Sequence, residues 1–471
     1  MRSHVTKDIS RLTIPELKRA VEQEPDNPVL HAQLGLRYQQ QKDWKQAEHH
    51  YLQAQALVPD YAPVFNNLAL LYKEMGRFDE GLVYIKKAVE YNPDHPEFLN
   101  NQGTLLLLMN AYEEAERVFR HVIRLAPQSS EGYCNLATVY LAQDDVEGAW
   151  KAISRACSLR PDGVSENWNR AMILLKMGRY AEGFPAYEWR WKKESFQKIT
   201  RSYPQPRWDG QPHPDSTLLL WSEQGYGDTV QMIRYCEQLK ALFRRIVLLA
   251  PEPLHRLLET HPAVDEVVTD ERNLPLFDFH LPVMSIPRFF TTNLATIPRK
   301  VPYLFPRCDQ GQTLATEGSS YRIGLVWSGN PRHQNDHNRS CELRHFAPLA
   351  QLPGVELYSF QKGPARKALR SAPFPVIDLH DRIQDFHDTA CYLRQMDLVI
   401  TVDTALVHVA GALGCPTWLL LSTRSDWRWL TVREDSPWYP TVKLFRQSIP
   451  GDWASVFSRV CRCLSEELET A

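Results

Sequence analysis

The sequence has almost no net charge and no long apolar run. Charged residues make up 23% of the 471 residues and the formal net charge is −2. No global basic field therefore points to nucleic acid or to an anionic membrane as a partner. The opening residues MRSHVTKDISRLTIPELK lack the apolar core of a signal peptide, and no uninterrupted apolar stretch could span a bilayer. These absences predict a cytoplasmic protein with no transmembrane segment and no nucleic-acid partner.

The nine cysteines lack the spacing of a metal or redox site. The closest pair, Cys461 and Cys463, has one residue between them, which is neither zinc-ligand spacing nor a CxxC motif. A chain of this length needs no disulfide framework, because its domains can bury their own cores. The sequence therefore predicts several globular domains, no metal and no bound cofactor.

A period of 34 residues organises the first 200 positions. Prolines recur at this spacing: Pro25, Pro59, Pro93, Pro127 and Pro161. Small residues recur with them at Gly35, Ala69, Gly103, Ala137 and Ala171, and large ones at Tyr51, Ile85, Phe119, Ile153 and Tyr187. The pattern predicts five helix-turn-helix units over residues 28–197, the fifth degenerate, after a helix within residues 1–27. It resembles the tetratricopeptide repeat family.

An amide column shares the period, with Gln33 followed by Asn67, Asn101, Asn135 and Asn169. A carboxamide offers both a donor and an acceptor, which suits an extended peptide backbone. Two explanations stay open: a ladder that binds a peptide, or an ordinary residue preference at this repeat position.

A second architecture follows a proline-rich connector at residues 198–216. Short apolar runs alternate with amphipathic stretches: TLLLW, RIVLLAP, DEVVTD and FDFHLPV, then RIGLVWSG, VELYSFQ, FPVIDL, DLVITVD and TWLLLS. Strands separated by helical spacers predict parallel sheets. The predicted fold class is thus an α-solenoid followed by an α/β region with two Rossmann-like halves, residues 217–310 and 320–471, the latter ending in a helix. This layout resembles the GT-B glycosyltransferases.

The stretch WSEQGYGDTVQ (residues 221–231) places Gly225, Gly227 and Asp228 where a buried strand turns into a helix. Such a corner can be a plain helix cap or a ligand loop at the carboxyl end of a strand. The corner resembles the Gly-Asp loop of bacterial heptosyltransferases. That resemblance implies that Asp228 is a general base and that both glycines admit the ligand. An aspartate at a helix start is expected to stay ionised, as a base must. His280, at the end of another strand, is a second catalytic candidate.

Three further loops resemble a nucleotide-sugar site. The segment VDTALVHVAGALG resembles a heptosyltransferase element that holds the donor diphosphate, and implies roles for Asp403, Thr404 and His408. Ala405 stands where that family has glycine, so the identity of the donor is in question. The other candidates for donor binding lie at two strand ends: Ser328, Gly329, Asn330, Arg339, Gln361 and Lys362. The tryptophan-rich segment SDWRWLTVREDSPWYP could stack on a sugar or a base, but packing in the core is the favoured interpretation.

Together these resemblances imply an inverting glycosyltransferase that moves a sugar from a nucleotide-sugar to a protein held by the repeats. The plan is similar to that of protein O-GlcNAc transferases, which use an asparagine ladder to hold acceptor polypeptides. No Asp-X-Asp triplet occurs, so metal-independent transfer is expected. Two alternatives remain: a repeat scaffold with a non-catalytic nucleotide-binding domain, and a transferase acting on a glycolipid core.

Overall fold

The computed structural model describes residues 9–314, 320–333 and 335–470. The chain divides into two compact units, one ending at Glu166 and the other beginning at Asn167. The first is an α-solenoid of paired helices, and the second is an α/β unit with two parallel sheets. The fold class predicted from the sequence is confirmed at this level.

The helices of the first unit repeat with the period of the sequence. They are α1 (Ile14–Gln23), α2 (Pro28–Gln40), α3 (Trp44–Leu57), α4 (Ala62–Glu74), α5 (Phe78–Tyr91), α6 (Pro96–Leu108), α7 (Tyr112–Leu125), α8 (Ser130–Ala142) and α9 (Val146–Leu159). Helix α10 (Val164–Lys176) begins in this unit and continues past its last residue, Glu166.

The periodic residues explain where these helices end. Each second helix stops two residues before a periodic proline, because proline lacks the N–H that the helix needs. Each first helix is followed by a residue with positive φ, and these residues are also 34 apart: Lys42, Gly76, Asn110, Asp144 and Gly178. A left-handed residue after a helix terminates it and turns the chain toward the next one.

The small and large columns pack against each other within a repeat. A Cβ atom placed on Gly35 would lie 2.7 Å from the Tyr51 ring, and one on Gly103 would lie 2.6 Å from Phe119. Both aromatic side chains are buried. The glycines therefore let the two helices of a pair approach closely.

The α/β unit contains the remaining elements. Its helices are α11 (Tyr180–Tyr187), α12 (Glu194–Gln197), α13 (Tyr226–Met232), α14 (Cys236–Lys240), α15 (His255–Leu258), α16 (Asp336–Arg339), α17 (Phe386–Leu393), α18 (Ala405–Leu413) and α19 (Trp453–Thr470). Its strands are β1 (His213–Trp221), β2 (Phe243–Leu249), β3 (Glu266–Val268), β4 (Phe279–Pro282), β5 (Tyr321–Val326), β6 (Val355–Ser359), β7 (Ile377–Asp378), β8 (Leu398–Val402), β9 (Thr417–Leu421) and β10 (Val442–Arg446).

The strands form two sheets. The first has four strands in the order β3-β2-β1-β4, and the second has six in the order β10-β9-β8-β5-β6-β7. All of their ladders are parallel. The central strands are apolar and buried on both faces, as parallel sheets covered by helices require.

The domain borders differ from the sequence prediction in two places. The fifth repeat pair packs into the core of the α/β unit, since Ala171, Leu175 and Tyr180 belong to the same buried cluster as β1. The connector predicted at 198–216 overlaps β1, which begins at His213. It also buries Trp208, whose backbone N–H donates to the His280 carbonyl at 3.0 Å.

Two further features of the structure were not predicted from the sequence. Strand β10, with the sequence VKLFR, was missed because charged Lys443 and Arg446 interrupt its apolar pattern. Cys308 and Cys391 form a disulfide across 83 positions, with Cα atoms 5.5 Å apart, whereas the spacing of the cysteines gave no reason to expect one.

Candidate functional site

A cavity of about 1670 Å³ opens at the carboxyl ends of the strands of both sheets. Its walls come from the loops after β1, β2, β5, β6, β7, β8 and β9. Ligands of open α/β folds bind at this end of the strands, where loops and helix N-termini converge. Residues of two predicted loops, 224–228 and 403–408, line this one cavity.

Asp228 performs the capping role and also faces the cavity. It lies in the first turn of α13, where its Oδ2 accepts the backbone N–H of Gly225 at 2.8 Å. Its Oδ1 accepts a hydrogen bond from the guanidinium of Arg428, and 20% of the side chain remains exposed. Burial raises the pKa of Asp228, while the charge of Arg428 opposes that shift. Asp228 can therefore cap α13 and still present a carboxylate to a ligand in the cavity.

Arg428 is the central charge of the site, and sequence reasoning missed it. It follows β9 and is 8% exposed, and it also donates to Asp426 at 2.8 Å and to Gln231 Oε1 at 2.5 Å. Burial alone would lower the pKa of Arg428, but Asp426 and Asp228 raise it. Its neighbours Trp427 and Trp429 are buried, which confirms that this tryptophan-rich segment packs in the core. The position of an arginine between two tryptophans expected in the core could have indicated a buried charge with a specific partner.

Asp403 directly follows β8 and lines the same cavity. Burial and the nearby Asp426 carboxylate raise the pKa of Asp403 to about 6, against the pull of Arg339. The next residue, Thr404, caps α18 by accepting the Leu406 N–H at 3.3 Å. Ala405, which stands in place of the glycine, is the first residue of α18 and lines the cavity. The positive end of the α18 dipole thus faces the cavity.

Gly227 and His408 hold α13 against α18. A Cβ on Gly227 would lie 2.5 Å from the imidazole Cδ2, so only glycine fits this approach. The imidazole is 6% exposed and its Nδ1 lies 3.0 Å from the Tyr439 hydroxyl. Burial, together with Arg428, lowers the pKa of His408, which keeps the ring neutral. His408 lines the cavity as a packed neutral group, and Gly227 serves helix packing.

The loop after β5 contains four predicted residues, and all of them line the cavity: Ser328, Gly329, Asn330 and Arg339. Arg339 donates to Asp336 and to the backbone carbonyl of Asp403, each at 3.0 Å. A Cβ on Gly329 would collide with the Arg339 guanidinium. Arg339 therefore ties this loop to the loop after β8.

Gln361 and Lys362 also line the cavity, but their polar atoms bond to the backbone. Gln361 is 2% exposed; its Oε1 accepts the N–H groups of Trp327 and Ser328, and its Nε2 donates to the Ser328 carbonyl at 3.0 Å. Lys362 Nζ donates to the carbonyls of His380 and Ile383, each at 2.9 Å. These side chains shape the loops rather than present unused donors.

His280 is absent from the described residues that line the cavity, so the structure does not bring it together with Asp228. Its strand β4 is an edge strand, and the connector covers it: the His280 N–H donates to the Pro206 carbonyl at 3.1 Å. The buried Nδ1 accepts the Trp221 indole N–H at 3.2 Å. Burial, with a contribution from Arg207, lowers the pKa of His280 to about 4.

The amide column is half-buried, and part of it is paired between repeats. Asn101 Nδ2 donates to Asn66 Oδ1 at 2.8 Å, and Asn135 Nδ2 donates to Asn100 Oδ1 at 3.1 Å. The carboxamides of Asn101 and Asn135 each retain a second N–H and an oxygen that could bond to a peptide. Asn67, Asn101 and Asn135 lie in the first unit, whereas Asn169 lies in the α/β unit.

Two searches of the structure concern metals and membranes. Among residues 9–314, 320–333 and 335–470, no three histidine, cysteine, aspartate or glutamate side chains form a group that could hold a metal ion. In the same part of the chain, none of the helices is both long enough and apolar enough to cross a bilayer.

Comparison with known proteins supports the repeats. The family model of the tetratricopeptide repeat matches residues 66–130. The protein FlbA of Caulobacter vibrioides is 26% identical over 330 residues, which cover 63% of this chain and 54% of FlbA. The chain thus spans about half the length of the curated relative that it matches.

Solved structures of repeat proteins are also similar to parts of the chain. A tetratricopeptide repeat protein from Parabacteroides merdae is 22% identical, covers 41% of this chain and 73% of its own, and has a TM-score of 0.35. YrrB, described as a TPR protein with an unusual peptide-binding site, is 13% identical, covers 38% and 90%, and has a TM-score of 0.30. TTC0263 of Thermus thermophilus is 19% identical, covers 34% and 89%, and has a TM-score of 0.31.

Proposed function

We propose that the protein is an inverting, metal-independent glycosyltransferase that moves a sugar from a nucleotide-sugar to a protein acceptor recruited by the repeats. The observation that carries the proposal is the placement of Asp228 and the α18 N-terminus on one cavity at the carboxyl ends of two parallel sheets. In this arrangement, which resembles that of GT-B enzymes, the acceptor would bind at the wall that contains Asp228. The donor would bind at the wall that contains the α18 N-terminus.

In the proposed reaction, Asp228 takes the proton of an acceptor hydroxyl. The freed oxygen bonds to the anomeric carbon, the bond from that carbon to the diphosphate breaks, and the nucleoside diphosphate leaves. Arg428 supports the base by favouring its ionised form against the effect of burial on the pKa. The carboxylate retains its 20% exposure toward the cavity despite this ion pair.

The positive charge for the leaving diphosphate would come from groups already at the cavity. The N-terminus of α18 has a favourable dipole, and Arg332 is exposed in the loop after β5. Such groups can take the place of a metal ion in stabilising the developing charge. A cavity of about 1670 Å³ exceeds the roughly 300–1,000 Å³ typical of small-molecule sites, as a nucleotide-sugar and an acceptor together require.

The acceptor class is inferred from the repeats. Tetratricopeptide repeats are protein-binding modules, and the recurring amides of Asn67, Asn101 and Asn135 offer donors and acceptors that suit a peptide backbone. A cytoplasmic location is part of the proposal, and seven of the nine cysteines are reduced thiols, as a reducing compartment favours. The Cys308–Cys391 disulfide is the exception.

One observation favours a second function, a scaffold that binds a nucleotide without transferring a sugar. Asp228 is engaged by both Arg428 and Gly225, and Ala405 replaces the glycine of the related donor loop. Binding without turnover would then be the outcome for every donor.

The test separates these functions. The full chain would be titrated by calorimetry with UDP-glucose, UDP-N-acetylglucosamine, GDP-mannose, ADP-glucose and dTDP-glucose, and then assayed for release of nucleoside diphosphate with a protein acceptor in excess EDTA. Binding with EDTA-resistant turnover supports the transferase. Binding without turnover supports the scaffold, and absence of binding to the whole panel contradicts both.

A further inference from the structure

A buried polar atom without a partner calls for an explanation, and where its residue lines a cavity a bound ligand can supply the missing hydrogen bond. Within the described residues, three such side-chain atoms belong to residues that line the cavity: Gln224 Nε2, His380 Nδ1 and Ser422 Oγ. The imidazole Nδ1 carries a hydrogen in only one neutral tautomer. The carboxamide and the hydroxyl always carry one, so both need an acceptor oxygen.

The two donors lie on the walls contributed by different sheets. Ser422 follows β9 and is 4% exposed. Val402 pairs with Leu420 at the end of the ladder, so Ser422 and Thr404, the cap of α18, each lie two residues beyond that last pair. Gln224 lies in the loop after β1, four residues before Asp228, and its Oε1 already accepts the Tyr187 hydroxyl at 3.1 Å. Only the Nε2 of that side chain is left for a ligand.

We propose that Gln224 and Ser422 are specificity-determining residues that donate hydrogen bonds to oxygen atoms of the sugar moiety. The inference rests on the proposed function and adds the residues that read the sugar. Both donors are neutral, which suits hydroxyl and carbonyl oxygens, whereas the arginines of the cavity suit phosphate. A sugar between Asp228 and the α18 N-terminus would meet one donor on each wall.

Discrimination follows from the cost of unmet hydrogen bonds. A site with buried donors disfavours a ligand that lacks the matching oxygens, because the donors then stay unpaired. Replacing either donor should weaken the binding of a nucleotide-sugar and leave the free nucleoside diphosphate unaffected. Removing an unpaired polar atom should also leave the folded state as stable as before, or more stable.

The chain offers matched controls. Gln447 is 6% exposed, its Oε1 accepts the Gly451 N–H, and its Nε2 is likewise unpartnered, but it is outside the described cavity lining. Thr441 Oγ1 is an unpartnered hydroxyl that is also outside that lining. Gln447→Leu and Thr441→Val therefore remove the same kind of atom away from the cavity.

The experiment compares affinities for the nucleotide-sugar panel and for UDP, GDP, ADP and dTDP alone, measured by calorimetry on the full chain. The variants are Ser422→Ala, Tyr187→Phe and Tyr187→Phe/Gln224→Leu, the double variant being compared with Tyr187→Phe so that no hydroxyl loses its acceptor. We expect a loss of about threefold to tenfold for the nucleotide-sugar, as for one neutral hydrogen bond, and less than about twofold for the free diphosphate. The controls should match the wild type.

Three outcomes overturn the inference. If the wild type binds a nucleotide-sugar, and Ser422→Ala and Tyr187→Phe/Gln224→Leu keep its affinity relative to the free diphosphate, the two donors are satisfied by water only and do not bind the sugar. If affinity for both ligands falls together with the melting temperature, the residues act on the fold. If the wild type binds no nucleotide-sugar, the proposed function itself fails, and this inference fails with it.

Discussion

Asp228 and Arg428 form an ion pair although 200 residues separate them in the sequence. One follows a strand of the four-stranded sheet and the other follows a strand of the six-stranded sheet, so the pair joins the two walls of the cavity. Arg428 also bonds to Gln231 and Asp426, which makes it a shared partner for both loops.

Replacing Arg428 by Met should strongly destabilise the α/β unit. The change leaves two partly buried carboxylates without the buried guanidinium, and the cost should approach the roughly 3–5 kcal/mol of breaking a buried pair. Urea unfolding followed by tryptophan fluorescence measures the change. Arg433→Met is the matched control, because its pair with Asp435 is exposed and should contribute less than about 1 kcal/mol. If the two variants lost the same free energy of unfolding, the ion pairs of Arg428 would contribute no more than an exposed pair.

The raised pKa of Asp403 predicts a pH-dependent stability. Its pKa in the folded state is about 6, above the roughly 3.9 of an unperturbed aspartate, so the folded state binds the proton more tightly. The stabilisation from this proton is complete below about pH 4 and is lost as the pH rises through about 6. Urea unfolding of the wild type and of Asp403→Asn at several pH values should show the wild type losing stability relative to the variant between about pH 4 and 6.

Asp435 supplies a control of opposite sign. Its bond with Arg433 lowers the pKa of Asp435, so the wild type should gain stability relative to Asp435→Asn as the pH rises through the unfolded pKa of about 3.9. The same trend in both variants would mean that general pH effects, and not Asp403, set the profile.

Gly227→Ala should destabilise the contact between α13 and α18. Its methyl group would lie 2.5 Å from the His408 ring, which must move or push the helices apart, at a cost of about 1–3 kcal/mol. The cost should shrink in a His408→Ala background, where the obstruction is removed. Denaturant unfolding of the four chains in this cycle gives the coupling energy, and purely additive effects would rule out the contact.

The amide column can be tested with its structural role separated from its binding role. Asn67→Ala should weaken protein glycosylation with little change in stability, because most surface substitutions change it by less than about 0.5 kcal/mol. Asn101→Ala and Asn135→Ala should in addition lower stability by about 1 kcal/mol each, since they remove donors to Asn66 and Asn100. Acceptor kinetics identical to the wild type in all three folded variants would leave the column as a repeat preference.

The sequence predicted what depends on local periodicity. Helix ends in the repeats follow from prolines at fixed spacing, and the close approach of paired helices follows from recurring small residues such as Gly35. The same holds for the loops at strand ends, because parallel strands bring their carboxyl ends to one edge. Residues 224–228 and 403–408 were placed on one cavity for this reason.

What the sequence could not supply depends on distant partners. Arg428 acquires its role from a carboxylate 200 positions away, and nothing in the segment SDWRWL specifies that partner. His280 had the features of a catalytic residue at a strand end, but the connector pairs with its edge strand and buries it. The apolar cluster shared by the fifth repeat and the sheets was hidden for the same reason.

The most direct test of the central claim is a paired measurement on Asp228→Asn. The variant retains an oxygen that can accept the Gly225 N–H, so the α13 cap should persist, but it cannot take a proton. The account predicts donor affinity within about threefold of the wild type and a transfer rate lower by about 10² to 10⁴-fold, the usual contribution of a general base. Normal affinity together with a rate within about threefold of the wild type would contradict it and leave Asp228 as a helix cap and ion-pair partner.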